Sequence, residues 1–110
     1  MILQQAMMQL CNAGGKAVTK KLVMLHESGL AIHKDPQWGH VISHFKSGRS
    51  VLKYIKNRKD VDGYVKRLLD ICESWDFTLE EFDESEWKHD LKINIDPIQK
   101  EIRQKGDYEL

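Results

Sequence analysis

Cysteine is scarce in this sequence of 110 residues, which contains only Cys11 and Cys72. Two cysteines without close-spaced partners exclude a dense secreted disulfide scaffold and favour a reduced, cytoplasmic setting. Long apolar runs are lacking as well. The first 15 residues are interrupted by glutamines and have no basic leader, so they predict neither a signal peptide nor a membrane span. Without a repeat or long linker, residues 1–110 are predicted to form a single domain.

Sequence signatures of catalysis are missing too. The chain has no Gly-x-Ser-x-Gly motif, no glycine-rich dinucleotide loop and no close-spaced cysteine pair. This pattern favours a non-catalytic protein without a cofactor. A catalytic site assembled from scattered histidines and carboxylates remains an alternative.

Charge is absent from residues 1–15 and strongly segregated in the rest of the chain. Residues 16–69 hold twelve basic and four acidic residues, a net charge of +8, whereas residues 70–110 hold five basic and thirteen acidic residues, a net charge of −8. Such asymmetry indicates either a basic surface for nucleic acid or two opposed patches for charged partners. Pairing of the two regions, within one molecule or between two, is the third interpretation.

Apolar spacing predicts a mostly α-helical domain of six or seven short helices. Leu3, Met7 and Leu10 form one stripe of a predicted uncharged helix over residues 2–12. Capping residues, such as Asp35 before Pro36, and terminal glycines, such as Gly29 and Gly48, mark the ends of the other predicted helices. These helices cover residues 16–28, 36–46, 51–58 and 61–74, and two more begin after Thr78 and at Pro97. One small two-stranded β pairing between residues 30–33 and 91–95 is also predicted, because Leu91, Ile93 and Ile95 alternate with polar residues.

Two segments are candidates for binding a protein partner. The first is an acidic region with interleaved aromatic side chains, which offers a surface to a basic partner; its candidate contact residues are Trp75, Glu80, Glu81, Phe82, Glu84 and Trp87. The second is the uncharged N-terminal segment, where Leu3, Met7 and Leu10 suit a dimer seam. Homodimerisation through this segment is therefore a prediction, with packing inside its own domain as the alternative.

The basic segment 46–67 is a candidate nucleic-acid interface. Its predicted phosphate contacts come from lysine and arginine, and Tyr54 or Trp38 is placed to stack on an exposed base. The candidate residues are Lys46, Arg49, Lys53, Tyr54, Lys56, Arg58 and Lys59. A merely solvated helix face explains the same charges.

His40 and His44 are the only candidate metal ligands with a suggestive spacing. On a helix, residues four apart have Cβ atoms about 5 to 6 Å from each other, which suits chelation of a transition metal. Ordinary hydrogen-bonded histidines are the alternative. Taken together, the sequence favours a small, non-catalytic interaction or regulatory accessory module, with nucleic-acid binding and then metal binding as alternatives.

Overall fold

The computed structural model of the chain describes residues 3–11, 18–77 and 85–106. These residues form five strands followed by two helices. The strands are β1 (Leu3–Cys11), β2 (Val18–His26), β3 (Leu30–Asp35), β4 (Gly39–His44) and β5 (Ser50–Ile55). The helices are α1 (Arg58–Ile71) and α2 (Ser85–Gly106).

The prediction of a mostly α-helical domain with six or seven short helices is wrong. The segments predicted as helices over residues 2–12, 16–28, 36–46 and 51–58 contain β1, β2, β4 and β5 instead. The helix predicted over residues 61–74 corresponds to α1, and the one predicted from Pro97 lies inside the longer α2. The helix predicted after Thr78 begins outside the described residues.

The predicted pairing of residues 30–33 with residues 91–95 is wrong too. Residues 91–95 belong to α2, and β3 pairs with β2 and β4. The alternation of Leu91, Ile93 and Ile95 is incidental, since Ile93 is exposed while Ile95 is buried. Ile95, Ile98 and Ile102 instead follow a helical spacing and supply the buried face of α2.

The strands form one antiparallel sheet in the order β1-β2-β3-β4-β5. Each strand pairs with its neighbour in sequence, and the described connections, those from β2 to β5, are short turns. The register is regular from β1 to β4 and shifts between β4 and β5. Near that irregularity Tyr54 has a φ of 67°, a left-handed conformation that a bulky side chain rarely adopts.

Both helices cover one face of the sheet, where they bury the main core. Ile32, Ile42 and Leu52 meet Val65 and Leu68 of α1 and the isoleucines of α2. The opposite face carries a smaller cluster of Met8, Val23 and Ala31, against which Ala6 and Phe45 pack. Period-two alternation therefore places apolar residues on both faces of the central strands.

The segment Cys72–Phe77, here called the strap, returns from α1 to the turn between β2 and β3. The Trp75 N–H donates a hydrogen bond of 2.7 Å to the Ser28 carbonyl, and the Trp75 side chain is fully buried. Lys46 forms an ion pair of 2.9 Å with Asp76, and the Phe77 ring stacks on His44 with centroids 4.5 Å apart. The strap thus joins the end of α1 to two turns of the sheet.

Neither α1 nor α2, as far as the structure describes them, is both long enough and apolar enough to cross a bilayer.

Candidate functional site: a free sheet edge

The two outer strands of the sheet, β1 and β5, are treated differently by the rest of the fold. The outer side of β5 faces α2, where the Gln99 side chain bonds to the backbone of Lys53 in both directions. The Lys53 N–H donates to Gln99 Oε1 and Gln99 Nε2 donates to the Lys53 carbonyl, each at 2.8 Å. The Gln99 amide therefore imitates a neighbouring strand and satisfies part of this edge.

Strand β1 has no such cover among residues 3–11, 18–77 and 85–106. Its nine residues pair with β2 on one side, and no described strand lies on the other. In an antiparallel ladder, about every second residue of an edge strand directs its N–H and C=O away from the sheet. The outer side of β1 therefore offers backbone donors and acceptors to an added strand.

The composition of β1 does nothing to prevent such an addition. Natural edge strands are usually protected by charges, prolines or bulges, and β1 contains no charged residue, no proline and no register shift against β2. Met7 lies directly opposite Leu22 of β2, and both side chains are 55% exposed. An apolar pair therefore lies beside an edge with which no described strand pairs.

The structure describes only some of the predicted partner-binding residues. Leu3 is half-buried against the main core and Met7 is exposed, whereas the Leu10 side chain is outside the description. Trp75 is a core residue and presents no surface to a partner. Of the remaining predicted contacts, Glu80, Glu81, Phe82 and Glu84 lie outside the described residues, and for Trp87 only the backbone in α2 is described.

The predicted nucleic-acid interface divides between opposite ends of the sheet. Lys46 and Arg49 lie in the turn between β4 and β5, where Lys46 pairs with Asp76. At the other end of β5 are Lys53, Tyr54, Lys56, Arg58 and Lys59. Four positions along β5, about 13 Å, separate Arg49 from Lys53, the nearest members of the two groups.

At that second end, cations stack on aromatic rings. The Lys53 Nζ lies 4.2 Å from the centroid of the Trp38 ring, and the Arg103 guanidinium lies 4.7 Å from that of Tyr54. The Tyr54 N–H donates to the Trp38 carbonyl at 2.9 Å, so the two aromatic residues are neighbours. Sequence reasoning considered Trp38 and Tyr54 but missed Arg103, because no local pattern indicates that α2 passes beside β5.

The strand structure of residues 39–44 removes the basis for a metal site at His40 and His44. Four residues along a strand span about 13 Å, compared with about 5 to 6 Å on a helix. His44 is buried and its Nδ1 is hydrogen-bonded to Ser47 Oγ at 2.7 Å. No group of three or more potential metal ligands occurs in the described part of the chain.

His33 and Ser43 form a cross-strand pair that resembles half of a catalytic triad. His33 Nε2 lies 2.9 Å from Ser43 Oγ. Ser43 is only 1% exposed, and no described residue hydrogen-bonds to His33 Nδ1 to orient the ring. A substrate would not reach this hydroxyl, so the pair is interpreted as a structural bond between β3 and β4.

Burial lowers the pKa of His33 to about 4, with a smaller contribution from Lys21 that is opposed by Asp35. The pKa values of His40 and His44 are also lowered, mainly by burial. These rings are therefore neutral in the folded state at neutral pH.

We expect acid to destabilise the fold through His33 before the carboxylates dominate. Between pH 6.5 and about 4 the unfolded chain binds a proton at this residue and the folded chain does not, so stability falls as the pH is lowered. The lowered pKa of His33 sets an upper limit of roughly 2 kcal/mol on the loss in the free energy of unfolding at pH 5. Because solvent screens this partly exposed ring, we expect a loss of about 1 kcal/mol. Urea unfolding of wild type and His33→Gln at pH 7.5 and pH 5 measures it.

The variant His33→Gln removes the titrating group and keeps a side chain able to bond to Ser43. We expect its stability to change less between the two pH values than that of wild type. The same comparison for His40→Gln should give a smaller difference, since His40 is less buried. An identical pH dependence for wild type and His33→Gln would show that His33 does not control acid sensitivity.

An open cleft of about 370 Å³ lies beside β1, between Gln4 and the strap. Its charged lining consists of Glu27, Lys46 and Asp76, of which Lys46 and Asp76 are paired with each other. The cleft therefore does not concentrate charge of one sign, and it is not assigned a ligand.

Comparison of the chain with protein-family models, curated proteins and solved structures found no match.

Proposed function

We propose that this protein is a non-catalytic interaction module that self-associates by adding the β1 strand of one copy to the β1 strand of another. The observation that carries the proposal is the contrast between the two sheet edges. Gln99 satisfies the Lys53 backbone of β5, whereas no described strand pairs with the outer edge of the uncharged β1. Strand addition supplies main-chain hydrogen bonds along the edge, and side chains beside it select the partner.

A second copy suits β1 because an uncharged strand can pair with itself without repulsion. An antiparallel pairing centred on Met7 places Met7 opposite its own copy and Gln5 opposite Gln9. The side-chain amides of glutamines on opposing strands can then hydrogen-bond to each other. This register also brings two Met7–Leu22 pairs together in one apolar cluster and gives a two-fold symmetric interface.

The test is the molar mass across a concentration series, measured by sedimentation for wild type and for Met7→Lys. Wild type is expected to shift from monomer to dimer as its concentration rises. The substitution places two like charges face to face at the centre of the proposed interface but leaves an exposed lysine in the monomer. We therefore expect the dimer to be weakened at least about tenfold with the monomer fold intact, because about 1.4 kcal/mol is enough for that change.

The matched control is Ile93→Lys, which introduces the same charge at an apolar side chain of similar exposure. Ile93 is 59% exposed on α2, which packs mainly against β5 and α1, so this variant should dimerise like wild type. A wild-type monomer at every concentration would contradict the proposal. Equal weakening by the two substitutions would contradict the role of β1.

A second readout tests the register directly. In a chain whose native cysteines are replaced by serine, Met7→Cys should form an intermolecular disulfide on oxidation, since opposed Cβ atoms are about 4.5–5.5 Å apart. Gln4→Cys should form it more slowly, because Gln4 would face Leu10 of the other copy in this register.

A cytoplasmic location and a regulatory role remain predictions from the sequence, and self-association through β1 requires no cofactor.

A further inference from the structure

Cations from distant parts of the sequence meet around two aromatic rings at one end of the sheet. This surface, here called the basic rim, consists of Lys34, Trp38, Lys53, Tyr54, Arg58 and Arg103. It combines the end of β3 with the turn that follows it, the end of β5, the start of α1 and the last turns of α2. The fold thus assembles one basic surface from four separate segments.

Positive charge on the rim is only partly compensated. Arg58 pairs with Asp62 at 3.2 Å. Within the described residues, no carboxylate forms an ion pair with Lys34, Lys53 or Arg103. The nearby Asp35 is engaged by the turn, since its Oδ1 accepts the N–H groups of Gln37 and Trp38. Three cations are therefore not neutralised by a described carboxylate, and two of them, Lys53 and Arg103, lie over the aromatic rings.

The backbones that carry the two rings are joined to each other. Trp38 and Tyr54 are half-buried, and the hydrogen bond from the Tyr54 N–H to the Trp38 carbonyl fixes the separation of their backbones. The Gln99 amide holds the Lys53 backbone from the other side. Aromatic rings on such a support are prepared for stacking at a small entropic cost.

We propose that the basic rim binds single-stranded nucleic acid, with phosphates at Lys34, Lys53 and Arg103 and unpaired bases stacked at Trp38 and Tyr54. Cations beside aromatic rings provide for both parts of a single strand, its phosphates and its exposed base faces. A duplex hides the faces of its bases, so it can use only the charges. An acidic peptide offers carboxylates but lacks the regularly spaced planar groups that two aromatic rings would select.

The experiment is fluorescence anisotropy with a labelled oligothymidylate of about twenty nucleotides, which exceeds the site size of a small binding domain. Wild type is expected to bind it more tightly than a duplex of the same length and to lose affinity steeply between about 50 and about 200 mM salt. The double substitution Lys53→Gln and Arg103→Gln should weaken binding at least about tenfold. It should also reduce the slope of log affinity against log salt by about 1.4, because two phosphate contacts are lost and each contributes about 0.7 on a single strand.

The matched control is Lys66→Gln with Lys92→Gln, which removes the same charge from exposed positions outside the rim. A general attraction to net charge would weaken binding equally in both double variants and would overturn the proposal. It would also be overturned by the absence of binding at about 50 mM salt, by equal affinity for duplex, or by equal affinity for polyglutamate.

Stacking is tested separately at Trp38. Trp38→Phe keeps an aromatic ring and should retain most of the affinity, whereas Trp38→Leu should weaken single-strand binding by at least about fivefold. Equal affinity for the two variants would remove stacking from the proposal. Thermal unfolding confirms the fold of each variant, and the two charge variants still decide the proposal if a Trp38 variant is unstable.

The rim lies across the sheet from β1, so either proposal can fail while the other holds.

Discussion

Replacing Gly29 by alanine is expected to destabilise the protein by about 3 kcal/mol or more, although the change adds a single methyl group. Gly29 has a φ of +101°, which costs an L-residue about 1–2 kcal/mol. A Cβ at this position would lie 2.6 Å from the backbone carbon and oxygen of Trp75 and 2.9 Å from the Asp76 nitrogen. Because these atoms belong to the strap backbone, a rotamer change cannot relieve the clash.

The clash at Gly29 would also disturb the segments that are hydrogen-bonded to this turn. Gly29 also accepts a hydrogen bond of 3.1 Å from the Phe45 N–H, and its neighbour Ser28 accepts the one from Trp75. Displacing the strap would therefore strain the contact of Trp75 with the core. A domain of this size loses roughly 4–8 °C in melting temperature per kcal/mol, so we expect Gly29→Ala to melt at least about 10 °C below wild type.

Gly63→Ala is the matched control, since the same substitution is expected to have the opposite sign there. Gly63 lies within α1, and nothing lies within 4 Å of the position its Cβ would occupy. Alanine is favoured over glycine in a helix interior by about 1 kcal/mol, so this variant should melt slightly above wild type. A Gly29→Ala protein as stable as wild type would show that the strap does not pack against the turn.

The sequence predicts some local hydrogen bonds more reliably than it predicts whether they belong to a helix or to a turn between strands. Asp35 before Pro36 was interpreted as a helix cap, and its carboxylate does accept two following backbone N–H groups. In the structure those bonds close the turn between β3 and β4. An Asx turn and a helix cap use the same donors and acceptor, so the same residues fit either structure. The bonding was foreseeable, but its role in a hairpin was not.

The glycines were ambiguous for a similar reason. Gly29 and Gly48 were interpreted as helix ends, and both have the positive φ that such an end requires. A left-handed glycine serves equally well in a tight turn between strands, so its conformation does not reveal which element precedes it. Turn chemistry alone therefore allowed two readings of the first 58 residues.

Strand periodicity was hidden by burial on both faces of the sheet. Four successive residues of β4, from Val41 to His44, are buried, so no alternation appears there. In β1 the exposed Met7 and the buried Met8 are both apolar, which also masks a period of two. The helix α1 was predicted because only one of its faces is buried, and its apolar residues therefore recur at the helical period.

The two candidate sites, the outer edge of β1 and the basic rim, could be predicted from the sequence only in part. The uncharged N-terminal segment could be selected as an interaction surface from composition alone, but its use as a free edge depends on the sheet order. The basic rim depends on α2 passing beside β5, which brings Arg103 to Tyr54 across 49 positions of sequence. Contacts of this kind arise from packing, and no local spacing encodes them.

Truncating Trp75 to alanine is the other substitution expected to have a large effect, a loss of about 3–5 kcal/mol in the free energy of unfolding. Trp75 is among the largest fully buried side chains, and its ring lies 5.9 Å from that of Phe77 within the main core. Removing it leaves a cavity where α1, the strap and the sheet meet. Much of the stability of a domain of this size, roughly 5–15 kcal/mol, would be lost, as urea unfolding would show.

This substitution separates the two roles considered for Trp75. A tryptophan that served only to dock a partner would be replaceable in the isolated protein with little change in stability, whereas a core tryptophan would not. Trp75→Phe should recover part of the loss because it refills part of the cavity.

Trp38→Ala gives the comparison for a half-buried tryptophan. Its contact with Lys53 is lost, so we expect the free energy of unfolding to fall by about 1 kcal/mol. Equal, small losses at Trp75 and Trp38 would contradict the core position of Trp75 and restore its interpretation as a partner-binding residue.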